Sequence, residues 1–158
     1  MASGSTPRAP ADVLVHLRRA RDHMDRHYAE PIDLDTLAGI AGVSKYHFLR
    51  LFRTTYGRTP AAYLSERRVE RAQDLLRTSN LTVTEVCFAV GFSSLGSFSS
   101  RFSAVTGETP RDFQKRYAAT GAPRIPGCYV FMWGLAERRP PQPDGSAIQE
   151  KPGPSPLP

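Results

Sequence analysis

The chain carries an internal repeat, which restricts the folds open to it more than any other feature. One copy spans residues 34–63 and the other spans residues 83–113. Gly42 matches Gly91 at an offset of 49 residues. Later residues match at an offset of 50, which predicts one extra residue in the second copy near Gly96: Phe48, Phe52, Gly57, Thr59, Pro60 and Tyr63 match Phe98, Phe102, Gly107, Thr109, Pro110 and Phe113. Because a solenoid needs about three or more copies, two copies indicate a pair of similar supersecondary units.

Each copy has the pattern of a helix-turn-helix unit. In the first copy, Gly42 is expected to end a short helix whose apolar residues recur at helical spacing: Leu34, Leu37, Ala38 and Ala41. Ser44 predicts the N-cap of a second helix, which is expected to bury Phe48, Leu51 and Phe52. The outward face of that helix would carry Lys45, Tyr46, Leu49, Arg50 and Arg53. Cations and an aromatic side chain on this face favour entry into a DNA major groove.

The second copy repeats these features. Its first helix is expected to end at Gly91 and to have an apolar face made of Val83, Val86, Cys87 and Val90. Its second helix is expected to bury Phe98, Phe102 and Val105. In both copies a threonine N-cap stands before a proline at the first helical position, at Thr59-Pro60 and Thr109-Pro110. A further helix therefore begins after each unit.

A long helix is predicted between the two units. Residues 60–77 contain no glycine and keep a helical apolar pattern, which predicts a rod ~27 Å long. Two reading helices held apart by this rod could enter successive major grooves of B-DNA, ~34 Å apart. Arg67, Arg68 and Arg71 alternate with acidic residues along the rod, which predicts a solvated, ion-paired face.

The order of these units resembles the AraC/XylS family of transcription regulators. The resemblance rests on AGVSKYHFLRLFRTTYGRTPAAYL in the first half and RRVERAQDLLRTSNLTVTEVCFAVGFSSLGSFSSRF in the linker and second half, and covers about residues 14–117. It implies an all-α, homeodomain-like domain of about seven helices at residues 12–118. Two helix-turn-helix subdomains, at 33–57 and 83–107, would be joined by a linker helix at 60–77.

The resemblance also implies which residues contact DNA. Tyr46 and Arg50 match family positions that reach bases and nearby phosphates, with Lys45 alongside. The matching stretch of the second copy begins at Ser94. The full candidate set is Lys45, Tyr46, Leu49, Arg50, Arg53, Ser94, Leu95, Gly96, Ser97, Ser100 and Arg101.

One position departs from the family pattern. Many members have arginine where this chain has Ser100, and the neighbouring Arg101 precedes the core residue Phe102, so it is expected to point differently. We therefore expect the first half to carry most direct base readout and the second half to position the protein on phosphates.

Composition restricts the class of protein further. The formal charge of +6 fits a nucleic-acid partner when it is combined with the motif. No signal peptide and no segment long enough to cross a membrane is visible, so we expect a cytoplasmic protein with no membrane partner. No cofactor is expected. A metal site formed by His16, His23 and His27 is the alternative to a plain polar helix face.

The two ends of the chain differ from the middle. Residues 1–11 are predicted to be disordered, and an opening helix at 12–28 would bury Val13, Leu17, Ala20, Met24 and Tyr28. Residues 119–137 form an apolar extension, followed by a proline-rich tail at 138–158 that is predicted to be disordered. Folding of the extension onto its own domain is favoured, because an exposed run of aromatic residues would promote aggregation.

These patterns predict a sequence-specific transcription regulator with no enzymatic activity. It would bind double-stranded DNA as a monomer, and the resemblance suggests contact with RNA polymerase. One alternative is the DNA-binding module of a DNA-repair methyltransferase-like system, for which Cys128 is the candidate reactive residue. Another is a protein-interaction module that docks through residues 125–136.

Overall fold

A computed structural model describes residues 11–132, with side chains for residues 11–130. This part of the chain is helical, with one isolated bridge and no strand, so the predicted all-α class is confirmed. Eight helices follow one another: α1 (Ala11–Arg26), α2 (Leu34–Ala41), α3 (Lys45–Tyr56), α4 (Pro60–Thr78), α5 (Val83–Ala89), α6 (Leu95–Thr106), α7 (Pro110–Ala118) and α8 (Gly127–Met132). The predictions for residues 1–10, 133–137 and 138–158 lie outside the described residues.

The helix starts repeat between the two units. The N-cap side chains of α2 and α5 are Asp33 and Thr82, and those of α3 and α6 are Ser44 and Ser94. Thr59 and Thr109 cap α4 and α7, each directly before a proline. Each cap oxygen accepts a backbone N–H that the first helical turn leaves unpaired. Local sequence therefore sets where these helices begin.

The extra residue of the second copy lies in the turn and not near Gly96. Helices α3 and α6 both have 12 residues, and their N-caps Ser44 and Ser94 are already offset by 50. The turn glycines Gly42 and Gly91 are offset by 49, so the insertion falls between Gly91 and Ser94. Within the two reading helices the repeat is consequently in constant register.

A single apolar core runs through both units. Phe48 and Phe52 of α3 and Phe98 and Phe102 of α6 are fully buried. Val105 was expected in this core, and that prediction is wrong, because its side chain is 42% exposed. Its counterpart in the first copy, Thr55, is also exposed, so this position faces outward in both reading helices.

The opening helix is shorter than predicted. It ends at Arg26, and Tyr28 is buried in the segment that follows it. Leu17, Ala20 and Met24 form its buried stripe as expected, while Val13 is only partly buried.

Arg68 of the linker helix is not part of a solvated, ion-paired face. It donates to the carbonyl oxygens of Tyr28 at 2.6 Å and of Glu30 at 2.9 Å, and burial lowers its pKa. Arg68 is drawn out of the solvated face by a tertiary contact, because the segment after α1 lies against the linker helix and supplies these carbonyl oxygens. Arg67 and Arg71 form the predicted ion pairs with acidic residues one helical turn away. They are not simply solvated, because Arg67 Nε also lies 3.5 Å from the Asp25 carboxylate and Arg71 Nε lies 3.4 Å from the Tyr28 hydroxyl.

The same segment after α1 touches the second unit. A Cβ atom at Gly91 would lie 2.8 Å from the carbonyl oxygen of Ala29, and Gly91 has a φ of +97°. Only glycine accommodates both conditions without strain. The guanidinium of Arg68 also lies 5.9 Å from the ring centre of Phe92. The segment between α1 and α2 therefore packs directly against the second unit at this contact.

The C-terminal extension packs on its own domain as far as Val130. The Ile125 N–H donates to the Thr78 carbonyl at 2.8 Å, and the Ile125 carbonyl accepts from the Asn80 N–H at 3.1 Å. Val130 on α8 is 1% exposed. Val130 therefore packs on the domain, whereas Tyr129 is 50% exposed, and the side chains of residues 131–133 lie outside the described part of the chain. Helix α8 is an eighth helix beyond the expected seven.

Candidate nucleic-acid interface

Helix α3 presents a polar stripe to solvent. Tyr46, Arg50 and Arg53 are all exposed, and Tyr46 is 79% exposed. They stand at i, i+4 and i+7, so their side chains lie along one face of the helix. Arg50 can donate two hydrogen bonds to a guanine edge or pair with a phosphate. The stripe therefore has the shape and chemistry for groove contact.

Lys45 and Leu49 lie beside this stripe and are less accessible. The Lys45 ammonium pairs with the Asp35 carboxylate at 3.0 Å, and the hydrogen bond to this carboxylate raises the pKa of Lys45. Leu49 is half-buried and lines an apolar groove of about 160 Å³ together with Leu37 and Leu64. Leu49 was expected to face outward with the cations, but its side chain lines this groove beside apolar residues of α2 and α4 and is therefore half-buried.

The N-terminus of α6 is exposed and carries no charge. The Ser94 hydroxyl accepts the Ser97 N–H at 3.3 Å and donates to the Ser97 hydroxyl at 2.9 Å. Leu95 is 41% exposed, and Gly96 has open space around the position of a Cβ atom. Ser100 is exposed one turn further on. This surface offers hydroxyl groups and free N–H groups of the first turn.

Arg101 is directed to the linker helix. It occupies the position of Leu51 in the first copy, which is half-buried. Its guanidinium Nη2 lies 3.2 Å from Glu66 Oε1, and its Nε is buried with no hydrogen-bond partner. Of the candidate residues on α6, this one is therefore turned away from the serine surface.

The described residues hold no group of three or more His, Cys, Asp or Glu side chains placed to bind a metal ion. His16 contacts the Ala41 carbonyl at 3.3 Å, so it is not simply part of a solvated face. The rings of His23 and His27 stack at 4.5 Å, and His27 pairs with Glu30 at 3.1 Å.

The two cysteines lie in different surroundings. Cys87 is buried, which raises the pKa of its thiol, and Cys128 is exposed on α8.

Within residues 11–132, none of the helices is both long enough and apolar enough to cross a membrane.

Comparison with known proteins identifies relatives of this arrangement. A family model described as a helix-turn-helix domain matches residues 37–116. The regulatory protein SoxS from Escherichia coli K12 is 31% identical over 93 residues, which cover 59% of this chain and 87% of SoxS. The HTH-type transcriptional regulator GlxA from Rhizobium meliloti is 35% identical over 95 residues, which cover 60% of this chain. The chain spans only 29% of the length of GlxA.

A solved structure with bound DNA has the same fold. It is the DNA-binding domain of AdpA, a global transcriptional factor, in complex with a target DNA. Its TM-score is 0.59 at 32% identity, and the match covers 70% of this chain and 96% of that domain. A transcriptional regulator from Chromobacterium violaceum, described as an AraC-type DNA-binding domain-containing protein, matches with a TM-score of 0.62 at 32% identity over 69% of this chain and 97% of that chain.

Proposed function

The chain belongs to the AraC family of helix-turn-helix transcription regulators, and on that premise we propose that it binds a specific site on double-stranded DNA and regulates transcription from it. The observation that carries this proposal is the exposed stripe of Tyr46, Arg50 and Arg53 on α3. A second exposed reading helix, α6, is connected to it by a linker of 19 residues. That length corresponds to ~28 Å.

The two reading helices would enter successive major grooves on one face of the duplex. Helix α3 would read bases through Arg50 and Tyr46, with Arg53 and Lys45 on phosphates and Leu49 against the groove edge. Helix α6 would position the protein through Ser94, Leu95, Gly96, Ser97 and Ser100. We assign Arg101 an indirect role, because Glu66 already holds its guanidinium.

One chain contains both reading helices, so we propose binding as a monomer, with RNA polymerase as a further partner. The two alternative functions receive less support. The relatives are transcription regulators, which does not favour a methyltransferase-like system built on Cys128. The described part of the extension packs on its own domain, which does not favour docking of a partner through it.

The proposal is tested by selecting bound duplexes from random DNA and comparing Arg50→Ala with Arg26→Ala. Arg26 is an exposed cation on α1, outside both reading helices. Loss of Arg50 should cost ~1–3 kcal/mol at the selected site and much less on random DNA. Arg26→Ala should cost little on either. Equal losses from both variants, or no enriched site, would contradict the proposal.

A further inference from the structure

Glu66 joins the two helix-turn-helix units through one carboxylate. Its Oε2 pairs with the guanidinium of Arg58, which lies between α3 and α4. Its Oε1 pairs with Arg101 Nη2 of helix α6 at 3.2 Å. The carboxylate therefore stands between two cations that belong to different units, and its side chain is only 29% exposed.

This bridge is separate from the contact that the segment between α1 and α2 makes with the second unit. At the other contact, Gly91 lies against Ala29, and Arg68 holds the carbonyls on either side of Ala29. Residues 66 and 68 are two apart on α4, and side chains at that spacing project from different sides of a helix. The second unit is thus held at two points around the linker helix. These polar contacts add to the apolar packing of the second unit on α4, and each restricts its rotation about the linker helix on a different side.

The bridge is not a feature that the repeat simply duplicates. The positions equivalent to Arg58 and Glu66 are Glu108 and Arg116, which pair at 2.5 Å with the charges exchanged. That pair joins residues of one unit only. The position equivalent to Arg101 is the apolar Leu51. The acidic residue at 66 and the cation at 101 are both needed for the connection between units.

We infer that Glu66 is a positioning residue that fixes the orientation of α6 relative to α3, and thereby the spacing of the two half-sites on DNA. This inference rests on the proposed function. Arg101 is adjacent to Ser100 on α6, so a shift of the bridge moves the surface that faces the groove. One base pair advances B-DNA by only ~3.4 Å, so a small change in orientation changes which spacing fits.

A positioning role and a role in stability are distinguished by comparing the affinity for duplexes of different half-site spacing, because a loss of stability alone weakens binding to all of them. The probes are the duplex that the full chain selects from random DNA and two versions with one base pair inserted or removed between the half-sites. The variants are Glu66→Gln and Arg101→Leu, with Glu108→Gln as the control that breaks an ion pair inside one unit. The first two should reduce the discrimination between native and altered spacing by about fivefold, and the control should leave it unchanged. Arg101→Leu places the residue of the first copy at that position, so a folded protein is expected if Glu66→Gln is unstable.

A distance measurement tests the bridge without DNA. Spin labels at Thr54→Cys on α3 and Ala104→Cys on α6, in a Cys128→Ser background, occupy equivalent exposed positions of the two reading helices. Glu66→Gln and Arg101→Leu should broaden or shift the distance distribution, and Glu108→Gln should not. The inference would be overturned if the distance distributions, or the discrimination between native and altered half-site spacing, were the same in these variants as in the parent. If the parent chain selects no DNA site, the proposed function fails, and the distances still decide whether Glu66 orients the two helices.

Discussion

Arg50 and Ser100 occupy equivalent positions of the two reading helices, and both side chains are exposed. One is a long cation with a planar donor group, and the other is a short neutral hydroxyl. The N-cap serines of α3 and α6 place the two helices in the same register, so the difference lies in the side chains alone. The two halves of the protein therefore present different chemistry on a common scaffold.

Ser100→Arg is expected to tighten binding to DNA of any sequence, because it adds a cation to the second reading surface. Ala122→Arg adds the same charge at an exposed position outside the helices and serves as the control. Titrations over a range of salt should show a steeper salt dependence for Ser100→Arg than for Ala122→Arg. If both variants change the slope equally, Ser100 does not face DNA.

The turn glycine of the second unit should be far less replaceable than the glycine on α6. Gly91→Ala would place a Cβ atom 2.8 Å from the Ala29 carbonyl, at a φ of +97°. It should lower the free energy of unfolding by ~2 kcal/mol or more. Gly96→Ala meets nothing within 4 Å and should raise it by ~0.5–1 kcal/mol. Chemical denaturation measures both, and a tolerated Gly91→Ala would show that the Ala29 segment does not lie close to this turn.

Removal of the C-terminal extension should weaken the fold without abolishing DNA binding. Val130 is buried, and the Ile125 backbone pairs with Thr78 and Asn80. Val130→Ala should therefore cost ~1–2 kcal/mol of unfolding free energy, and truncation after Gly121 should cost more. Tyr129→Ala, at a side chain that is 50% exposed, is the control. An unchanged melting temperature after truncation would mean that the extension does not brace the domain in solution.

Acidification should destabilise the protein partly through His23. Burial lowers the pKa of His23 first, His27 and Arg26 lower it further, and Glu30 opposes them. Because the folded pKa lies below the unfolded value, this stability is present above about pH 6.5 and is lost as the pH falls through the folded pKa. His23→Gln should lose less stability than the parent between about pH 7.5 and about pH 5. A His23→Gln curve that follows the parent curve would contradict this role.

Local signals in the sequence predicted most of the fold. The capping residues Ser44 and Thr59, and the paired phenylalanines of each copy, act over one or two helical turns, so their pattern alone placed α2 to α7. The inward roles of Arg68 and Arg101 depend on which segments come together in three dimensions. The local sequence around each arginine does not show which segment it will contact. One signal for Arg101 was available, because at the offset of 50 it aligns with Leu51, which stands between the core residues Phe48 and Phe52.

The most direct test of the proposed function is hydroxyl-radical footprinting on the selected duplex, combined with native mass spectrometry of the same complex. One chain per duplex is expected to protect two segments about 10 base pairs apart on one face. The affinity should fall steeply with salt as Lys and Arg displace counterions from phosphates. A single protected segment, or a complex that forms only with two chains, would contradict a protein that places α3 and α6 in successive grooves.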